Sequence, residues 1–281
     1  MPALAAQRVA LLAQAACVLE ASAPKPGNVA PGRRFADTGF EDFVLSAVAV
    51  GPVFARVGHL GVGELVLDAV RATRAVVKVN TNLGILLLLA PLAQALIREG
   101  GSLRERVAQV LRSLTVADAG AVYAAIRLLA PGGLGTAPEQ DVRDEPSLPL
   151  RQVMLLAADR DSIAREYATD YDVTFRLALP ALRRSRERGL DWTAATLEAY
   201  LHVLAEAPDT LIARKLGLEA ARRVSARARE VLAAGDPASA ARARAADAFD
   251  AELRVDGNRL NPGTTADLIA AGLLVALAEE T

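Results

Sequence analysis

Four short polar segments interrupt a chain that is otherwise rich in alanine and leucine, and they hold residue types that handle phosphate and metal ions. They are 23–28 (Ala-Pro-Lys-Pro-Gly-Asn), 79–84 (Val-Asn-Thr-Asn-Leu-Gly), 208–215 (Pro-Asp-Thr-Leu-Ile-Ala-Arg-Lys) and 261–268 (Asn-Pro-Gly-Thr-Thr-Ala-Asp-Leu). Each lies at a break between apolar helical stretches, where a helix end offers unpaired backbone N–H groups and a partial positive charge. We expect folding to bring these segments together into one phosphate- and metal-binding pocket.

The first two segments carry a lysine and a group of amides. Lys25 stands between two prolines, which fix φ and stiffen the backbone around it. A flexible surface lysine needs no such setting, so the sequence favours a charge held toward an anion. In the second segment, Asn80, Thr81 and Asn82 precede an apolar helix. They either orient ribose or phosphate oxygens, or one of them only caps the helix.

The densest acidic part of the chain is 159–172, where Asp161, Glu166 and Asp170 stand near helix boundaries. Mg²⁺ is usually held by one or two carboxylates together with phosphate oxygens. Two of these acids would therefore suffice for a magnesium site. The alternative is a solvated surface on which the acids pair with neighbouring arginines.

The last two segments combine helix capping with charge. Asp209 caps a helix or binds a metal, and Arg214 and Lys215 follow a turn or so later, where they suit a phosphate. Asp267 has the spacing of a capping box with Thr264. Capping alone does not explain Asn261, a second polar group at the mouth of the same helix.

Composition limits the fold and the function. Of 281 residues, 52% are hydrophobic but only 4% aromatic, which suits closely packed helices better than sheets. The formal net charge of -1 gives no general attraction to nucleic acid or to an anionic membrane. The most apolar segment, 85–95, is far shorter than the roughly 20 residues that span a bilayer. The lone Cys17 rules out an internal disulfide framework and predicts a cytoplasmic location.

Helical periodicity dominates the chain, and sustained period-two alternation is absent. We therefore predict an all-α fold, a multi-helix bundle in which residues 1–281 form a single domain with a long irregular loop at about 131–149. The predicted helices are 3–22, 41–57, 62–77, 82–98, 103–113, 116–130, 149–157, 161–188 (broken), 192–206, 209–233, 237–254 and 265–279.

Taken together, the four polar segments resemble the triphosphoribosyl-dephospho-CoA synthase family, and the resemblance runs from about residue 20 to 275. It implies an all-α, Mg²⁺-using enzyme that joins the ribose C1 of ATP to the 2′-hydroxyl of 3′-dephospho-CoA with loss of adenine. The matching positions are Lys25 and Gly27 (Lys-Pro-Gly), Asn80 and Thr81 (Asn-Thr), Glu166 (the glutamate of Arg-Gly-Glu-Ala), Asp209 and Thr210 (Asp-Thr), and Asn261, Gly263 and Asp267 (the final motif).

From the residues and the resemblance we predict an Mg²⁺-dependent transferase that moves a triphosphoribosyl or related phosphoribosyl group from ATP to a hydroxyl of 3′-dephospho-CoA. The predicted catalytic carboxylates are Glu166, Asp209 and Asp267, and the same three with Asp170 are the predicted metal ligands. The predicted contacts to phosphate, sugar or base are Lys25, Gly27, Asn28, Asn80, Thr81, Asn82, Arg214, Lys215, Asn261 and Gly263.

Two alternatives keep the same pocket. One is a different substrate in coenzyme biosynthesis, such as a pterin- or furan-type C1 carrier. It is motivated by Asn82-Leu83, which replaces the family's usual His-Lys and looks like a divergent branch of archaea and C1-metabolising bacteria. The other is a catalytically inactive, nucleotide-binding helical protein. In every case we expect small-molecule partners, neither nucleic acid nor membrane, and a homodimer through the Leu- and Ala-rich surface.

Overall fold

The structure, a computed structural model, describes residues 2–129 and 137–280. These residues form fourteen α-helices, and within them β-pairing is limited to two isolated bridges, which confirms the predicted all-α fold. The helices are α1 (Ala6–Ser22), α2 (Phe40–Phe54), α3 (Val62–Val76), α4 (Leu83–Leu96), α5 (Leu103–Arg112), α6 (Val116–Leu129), α7 (Leu150–Ala157), α8 (Ser162–Ala168), α9 (Leu179–Glu187), α10 (Trp192–Glu206), α11 (Thr210–Leu216), α12 (Leu218–Ala233), α13 (Ala240–Leu253) and α14 (Gly263–Glu279).

Two central helices, α4 and α14, hold the bundle together. Each is apolar on nearly all sides and almost completely buried, as expected for a helix in the middle of a core. They pack against each other and against α1. Helices α2, α3, α5 and α6 cover one side of this centre, and helices α9 to α13 cover the other. The beginnings of α4 and α14 therefore lie in the interior.

A proline inside α4 has a visible structural consequence. Pro91 has no backbone N–H, so the carbonyl of Leu87 lacks its usual partner within the helix. The hydroxyl of Tyr167 donates to that carbonyl at 2.6 Å, and the hydroxyl of Tyr171 donates to the carbonyl of Leu88 at 2.7 Å. The two tyrosines thus fasten the region after α7 to the central helix.

The predicted break within 161–188 is confirmed. After α8 the backbone of Asp170 and Tyr171 enters the left-handed region, with φ of 53° and 62°, and a π-helical turn (Thr174–Ala178) then leads into α9. The helix predicted at 209–233 is wrong in one respect, because it is two helices. Gly217, with φ of 86°, separates α11 from α12, since glycine adopts this conformation at no steric cost.

The remaining boundaries lie close to the predicted ones, and local capping explains several of them. Ser102 and Glu105 form a complete capping box at the start of α5, as their spacing predicts. Residues 131–136 of the predicted irregular loop lie outside the described residues, and 137–149 contains turns but no helix. Within the described ranges, no helix combines the length and the apolar character needed to cross a bilayer.

Candidate active site

A cavity of about 1500 Å³ opens at the beginnings of α4 and α14. The beginnings of the short helices α8 and α11, the end of α1 and parts of α6 and α7 also line it, together with residues from 28–43 and 137–142. The first N–H groups of a helix have no partner inside it and carry partial positive charge. With two long helices starting at its wall, the cavity offers a setting that favours anionic groups such as phosphates.

Three polar residues at the start of α4 line the cavity, as predicted. The Oδ1 atom of Asn80 accepts a hydrogen bond from the N–H of Leu83 at 3.2 Å, so this amide caps the helix. The hydroxyls of Thr81 and Ser46 lie 2.6 Å apart. Asn82 is buried and donates through Nδ2 to the hydroxyl of Thr73 at 3.1 Å, but its Oδ1 has no hydrogen-bond partner among the described residues.

The first and last polar segments meet at the start of α14. The Nδ2 atom of Asn261 donates to Asn28 Oδ1 at 3.0 Å and to the carbonyl of Gly27 at 2.8 Å. Asn28 in turn donates a hydrogen bond through Nδ2 to the hydroxyl of Tyr200 at 3.1 Å. Asn28, Asn261 and the neighbouring Gly263 all line the cavity. Folding thus joins segments that are more than 200 residues apart in sequence.

Asp267 does not form the capping box with Thr264 that its spacing allowed. Its carboxylate lies over the first turn of α4, because a Cβ atom added at Gly84 would stand only 2.0 Å from Asp267 Oδ2. Within residues 2–129 and 137–280, no hydrogen bond or ion pair engages this carboxylate. Burial raises its pKa well above the usual range, and the negative charge of Glu20 is the next largest cause.

Lys25 is completely buried and does not line the cavity. Its ammonium group forms an ion pair with Glu20 at 3.0 Å and donates to the backbone carbonyls of Glu20 and Ala23. Its positive charge is therefore directed at a carboxylate of the protein and not at a phosphate. Gly27 also lies outside the wall: its N–H donates to Asp250 at 2.7 Å, and an added Cβ would stand 2.9 Å from Leu253.

Glu20, which is not among the predicted site residues, lines the cavity and is 3% exposed. One oxygen pairs with Lys25, and the other, Oε2, has no hydrogen-bond partner among the described residues. The sequence contains a feature that indicates its burial, because Glu20 continues the buried stripe of α1 that includes Ala13 and Ala16. An acid on such a stripe is seldom buried without a specific partner.

Asp209 is buried, and its carboxylate is fully engaged. Oδ1 accepts from the N–H groups of Leu211 and Ile212, and Oδ2 accepts from the N–H and the hydroxyl of Thr265 at 2.7 and 2.8 Å. Burial is the leading cause of a raised pKa. Asp209 therefore joins the beginning of α11 to the beginning of α14. Of the two roles considered for Asp209, helix capping is the one that its hydrogen bonds show. Its neighbour Thr210 lines the cavity.

Glu166 and Asp170 are not brought to the cavity. The buried carboxylate of Glu166 accepts hydrogen bonds from the N–H groups of Val173 and Thr174 at 2.8 and 2.9 Å and from the hydroxyl of Thr174. Burial raises the pKa of Glu166 to about 7. Asp170 forms an ion pair with Arg151 at 2.8 Å. Both acids hold the turn after α8, and we do not retain them in the proposed site.

Cations line the side of the cavity formed by α8 and α11. Arg214 and Lys215 are there, as predicted, and Arg214 lies 3.5 Å from Asp161, whose other oxygen caps α8. Partial burial and the charge of Arg214 lower the pKa of Lys215. Three further basic residues line the wall and were not among the predicted contacts: Lys78, Arg160 and Arg165.

Apolar side chains from α6 and α7 also line the cavity, among them Val122, Ile126, Val153 and Met154. This part of the wall lies beside the described part of the irregular loop, where the hydroxyl of Tyr123 donates to the carbonyl of Gln140. The cavity wall thus contains apolar side chains as well as polar and charged ones.

Comparisons with known proteins agree on one family. The sequence model described as CitG, ATP:dephospho-CoA triphosphoribosyl transferase, matches residues 6–281. A relative from Pseudomonas syringae pv. tomato, named "Probable 2-(5''-triphosphoribosyl)-3'-dephosphocoenzyme-A synthase", is 30% identical over 98% of this chain and 92% of its own. A Klebsiella pneumoniae protein, named 2-(5''-triphosphoribosyl)-3'-dephosphocoenzyme-A synthase, is 37% identical over 36% of this chain and 35% of its own.

A solved structure shows the same architecture. A structure described as "Crystal structure of putative triphosphoribosyl-dephospho-coA synthase from Archaeoglobus fulgidus" superposes with a TM-score of 0.66. The match has 28% sequence identity and covers 83% of this chain and 97% of the other. The similarity therefore extends over nearly the whole helical bundle of that protein.

Proposed function

The chain belongs to the ATP:dephospho-CoA triphosphoribosyl transferase family, and we propose that the cavity at the beginnings of α4 and α14 is where its reaction takes place. The family match confirms the resemblance and the predicted enzyme class. In the proposed reaction, the bond between the ribose C1 and adenine in ATP breaks, and C1 bonds to a hydroxyl oxygen of 3′-dephospho-CoA. Adenine leaves with the bonding electrons and gains a proton, and the acceptor hydroxyl loses one.

The observation that carries this proposal is the carboxylate of Asp267, which faces the cavity without a partner at the start of α4. Breaking a glycosidic bond builds positive charge on the sugar, and a nearby carboxylate stabilises that charge. Asp267 has both oxygens available for this role. Of the three carboxylates predicted to be catalytic, it is the one that lines the cavity.

The remaining wall fits the other parts of ATP. Arg214 and Lys215 supply positive charge toward the triphosphate, which the beginnings of the long helices also favour. Asn80 and Asn261 have amide groups at the wall that suit hydroxyl groups of a ribose.

Mg²⁺ belongs to the proposal as a companion of the triphosphate. Among the described residues, no group of three or more His, Cys, Asp or Glu side chains could hold a metal ion. The unpartnered carboxylate of Asp267 nevertheless fits Mg²⁺, which uses one or two protein carboxylates together with phosphate oxygens and water. When bound, the ion would neutralise part of the phosphate charge.

The direct test is to incubate the purified protein with ATP, MgCl₂ and 3′-dephospho-CoA and to measure free adenine and the mass of the coenzyme product. We expect stoichiometric adenine release and a product heavier by one triphosphoribosyl group. Asp267→Asn should abolish both while leaving the helical circular dichroism spectrum unchanged. Absence of adenine with the wild-type protein would refute the proposal.

The alternatives from the sequence receive no specific support. Nothing in the cavity favours a pterin or furan acceptor over dephospho-CoA, and the names of the relatives point to dephospho-CoA. The assignment to a divergent branch within the family stays a prediction. We also propose a cytoplasmic location, because the lone Cys17 is a free buried thiol, as is usual in a reducing compartment.

A further inference from the structure

Glu20 is deeply buried, and one of its carboxylate oxygens lacks a hydrogen-bond partner among the described residues. It is 3% exposed, and the oxygen in question is Oε2. A buried carboxylate normally has its oxygens satisfied, because an unmatched one costs the full desolvation penalty. Since Glu20 lines the cavity, the missing partner can come from a bound molecule or ion.

A second buried oxygen in the same wall is in the same situation. Asn82 is 4% exposed, and its Oδ1 atom has no partner within the described parts of the chain. Glu20 lies in α1, Asp267 lies in α14, and Asn82 immediately precedes α4. These three helices pack against one another pairwise. All three side chains line the cavity, and each offers an oxygen acceptor.

The charges in this part of the wall are unbalanced. Glu20 and Asp267 are both acidic and both line the cavity, so their carboxylates repel each other there. Lys25 is paired with one oxygen of Glu20 only. A cation between the carboxylates would remove the repulsion and satisfy the free oxygens, and carboxylate and amide oxygens are suitable ligands for hard divalent ions.

We propose that the side-chain oxygens of Glu20, Asn82 and Asp267 are the protein ligands of a divalent cation of the Mg²⁺ class. The inference rests on the proposed function for the remaining ligands, which phosphate oxygens and water would provide. Lys25 is a positioning residue: its ion pair through Oε1 at 3.0 Å fixes Glu20 and leaves Oε2 without a partner among the described residues.

The test measures metal binding directly, with Mn²⁺ as the probe. The electron paramagnetic resonance signal of free Mn²⁺ is titrated with wild-type protein and with Glu20→Gln, Asn82→Leu and Asp267→Asn. Each ligand variant should weaken Mn²⁺ binding at least about tenfold. The matched control is Asp159→Asn, which removes one negative charge from the same cavity wall and should change the affinity less than twofold.

Glu20→Gln leaves the buried Lys25 without its counter-charge, and that variant is therefore expected to lose stability. The double variant Lys25→Met with Glu20→Gln removes the pair together and keeps the fold while losing the cation site. Circular dichroism and melting temperature identify variants that fold like the wild type. Folded ligand variants that bind Mn²⁺ as tightly as the wild type would overturn the assignment.

Adenine release separates this inference from the proposed function. One outcome is that the wild-type protein binds Mn²⁺ tightly, that Glu20→Gln and Asp267→Asn both weaken this binding, and that the wild-type protein releases no adenine. This outcome supports the cation site and refutes the proposed reaction. Adenine release by a wild-type protein whose Mn²⁺ affinity is the same in all folded variants refutes the cation site and supports the reaction.

Discussion

At the scale of single residues, Glu166 shows what a buried acid does when it serves the fold. Its two oxygens accept hydrogen bonds from the backbone of Val173 and Thr174 and from the hydroxyl of Thr174, and they hold the turn that leads to α9. Burial nevertheless dominates, and it raises the pKa to about 7 from an ordinary value of 4.5, with the nearby charge of Asp172 adding to the rise. The folded protein therefore binds this proton more tightly than the unfolded chain.

The raised pKa predicts how stability changes with pH. Between pH 4.5 and about 7, the folded state holds more protons at Glu166 than the unfolded state, so the free energy of unfolding falls as pH rises. The fall is about 3 kcal/mol, complete above pH 7. Urea unfolding at pH 5 and pH 8 should show that Glu166→Gln lacks this component, while exposed Glu99→Gln keeps it. Equal pH dependence in both variants would contradict the assignment.

Individual side chains also show which features of the site cannot be predicted from sequence. The spacing of polar residues at helix breaks correctly placed Asn80, Asn82 and Asp267 at the cavity. It placed Lys25 there too, although that side chain points into the core. A motif shows that a polar residue is held at a helix end, but the direction of its side chain depends on packing between helices that are remote in sequence.

At the scale of elements, the start of α4 is shaped by the carboxylate that lies over it. Gly84 provides the space, because an added Cβ would stand 2.0 Å from Oδ2 and 2.6 Å from Cγ of Asp267. A second helical glycine, Gly120 in α6, has nothing within 4 Å of the same position. The two glycines therefore form a matched pair, one at the cavity and one away from it.

We expect Gly84→Ala to displace the Asp267 carboxylate and to reduce the rate of adenine release by at least about tenfold, a barrier increase of about 1.4 kcal/mol. Gly120→Ala should retain full activity and gain about 0.5–1 kcal/mol of stability, since alanine favours the helix over glycine. Assays of adenine release and of thermal unfolding on both variants check this. Full activity in Gly84→Ala would show that the close approach is not required.

The hydrogen bond from Tyr167 to α4 leads to a prediction about the stability of the protein. Tyr167→Phe removes the donor to the Leu87 carbonyl, which Pro91 cannot replace, and should cost about 1–3 kcal/mol of stability. In a Pro91→Ala background, the new N–H at position 91 reaches the same carbonyl, so the cost of Tyr167→Phe should be smaller. Urea denaturation of the four proteins measures this coupling. Strict additivity would contradict the account.

Helices were the most predictable elements, for reasons visible in particular residues. Apolar periodicity and capping residues such as Ser102 and Glu105 are local signals, so helix α5 has the predicted start. The break at Gly217 was missed, because a single glycine within a helical pattern does not by itself show a left-handed backbone. The hydrogen bond from Tyr167 to α4 joins residues 80 positions apart and has no local signal.

At the scale of the whole molecule, one set of packed buried residues extends from Val9 in α1 to Ala278 in α14. Because α1 and α14 pack against each other, the two ends of the chain depend on a common core. The single-domain organisation stays a prediction, and it requires one cooperative transition in calorimetry. Two separate transitions would contradict it.

The oligomeric state is a separate prediction. If the chain forms the predicted homodimer, sedimentation should give twice the mass of 29.5 kDa.

The size of the cavity bears on the order of chemical events. Its volume of about 1500 Å³ exceeds the roughly 300–1,000 Å³ of a site for one small molecule. Charged groups in its wall such as Arg214 suit a triphosphate, and the apolar side chains of α6 and α7 offer a surface to a second substrate. Both substrates can therefore occupy the cavity together, which permits direct transfer from ATP to the acceptor hydroxyl.

Direct transfer predicts sequential kinetics. Initial rates measured over a grid of ATP and dephospho-CoA concentrations should give intersecting double-reciprocal lines, because both substrates must be bound before the glycosidic bond breaks. ATP alone should release no burst of adenine, since the sugar has no acceptor in the cavity. The control is the same burst measurement with dephospho-CoA added. Parallel lines, together with one adenine released per enzyme from ATP alone, would instead require a covalent intermediate on the protein.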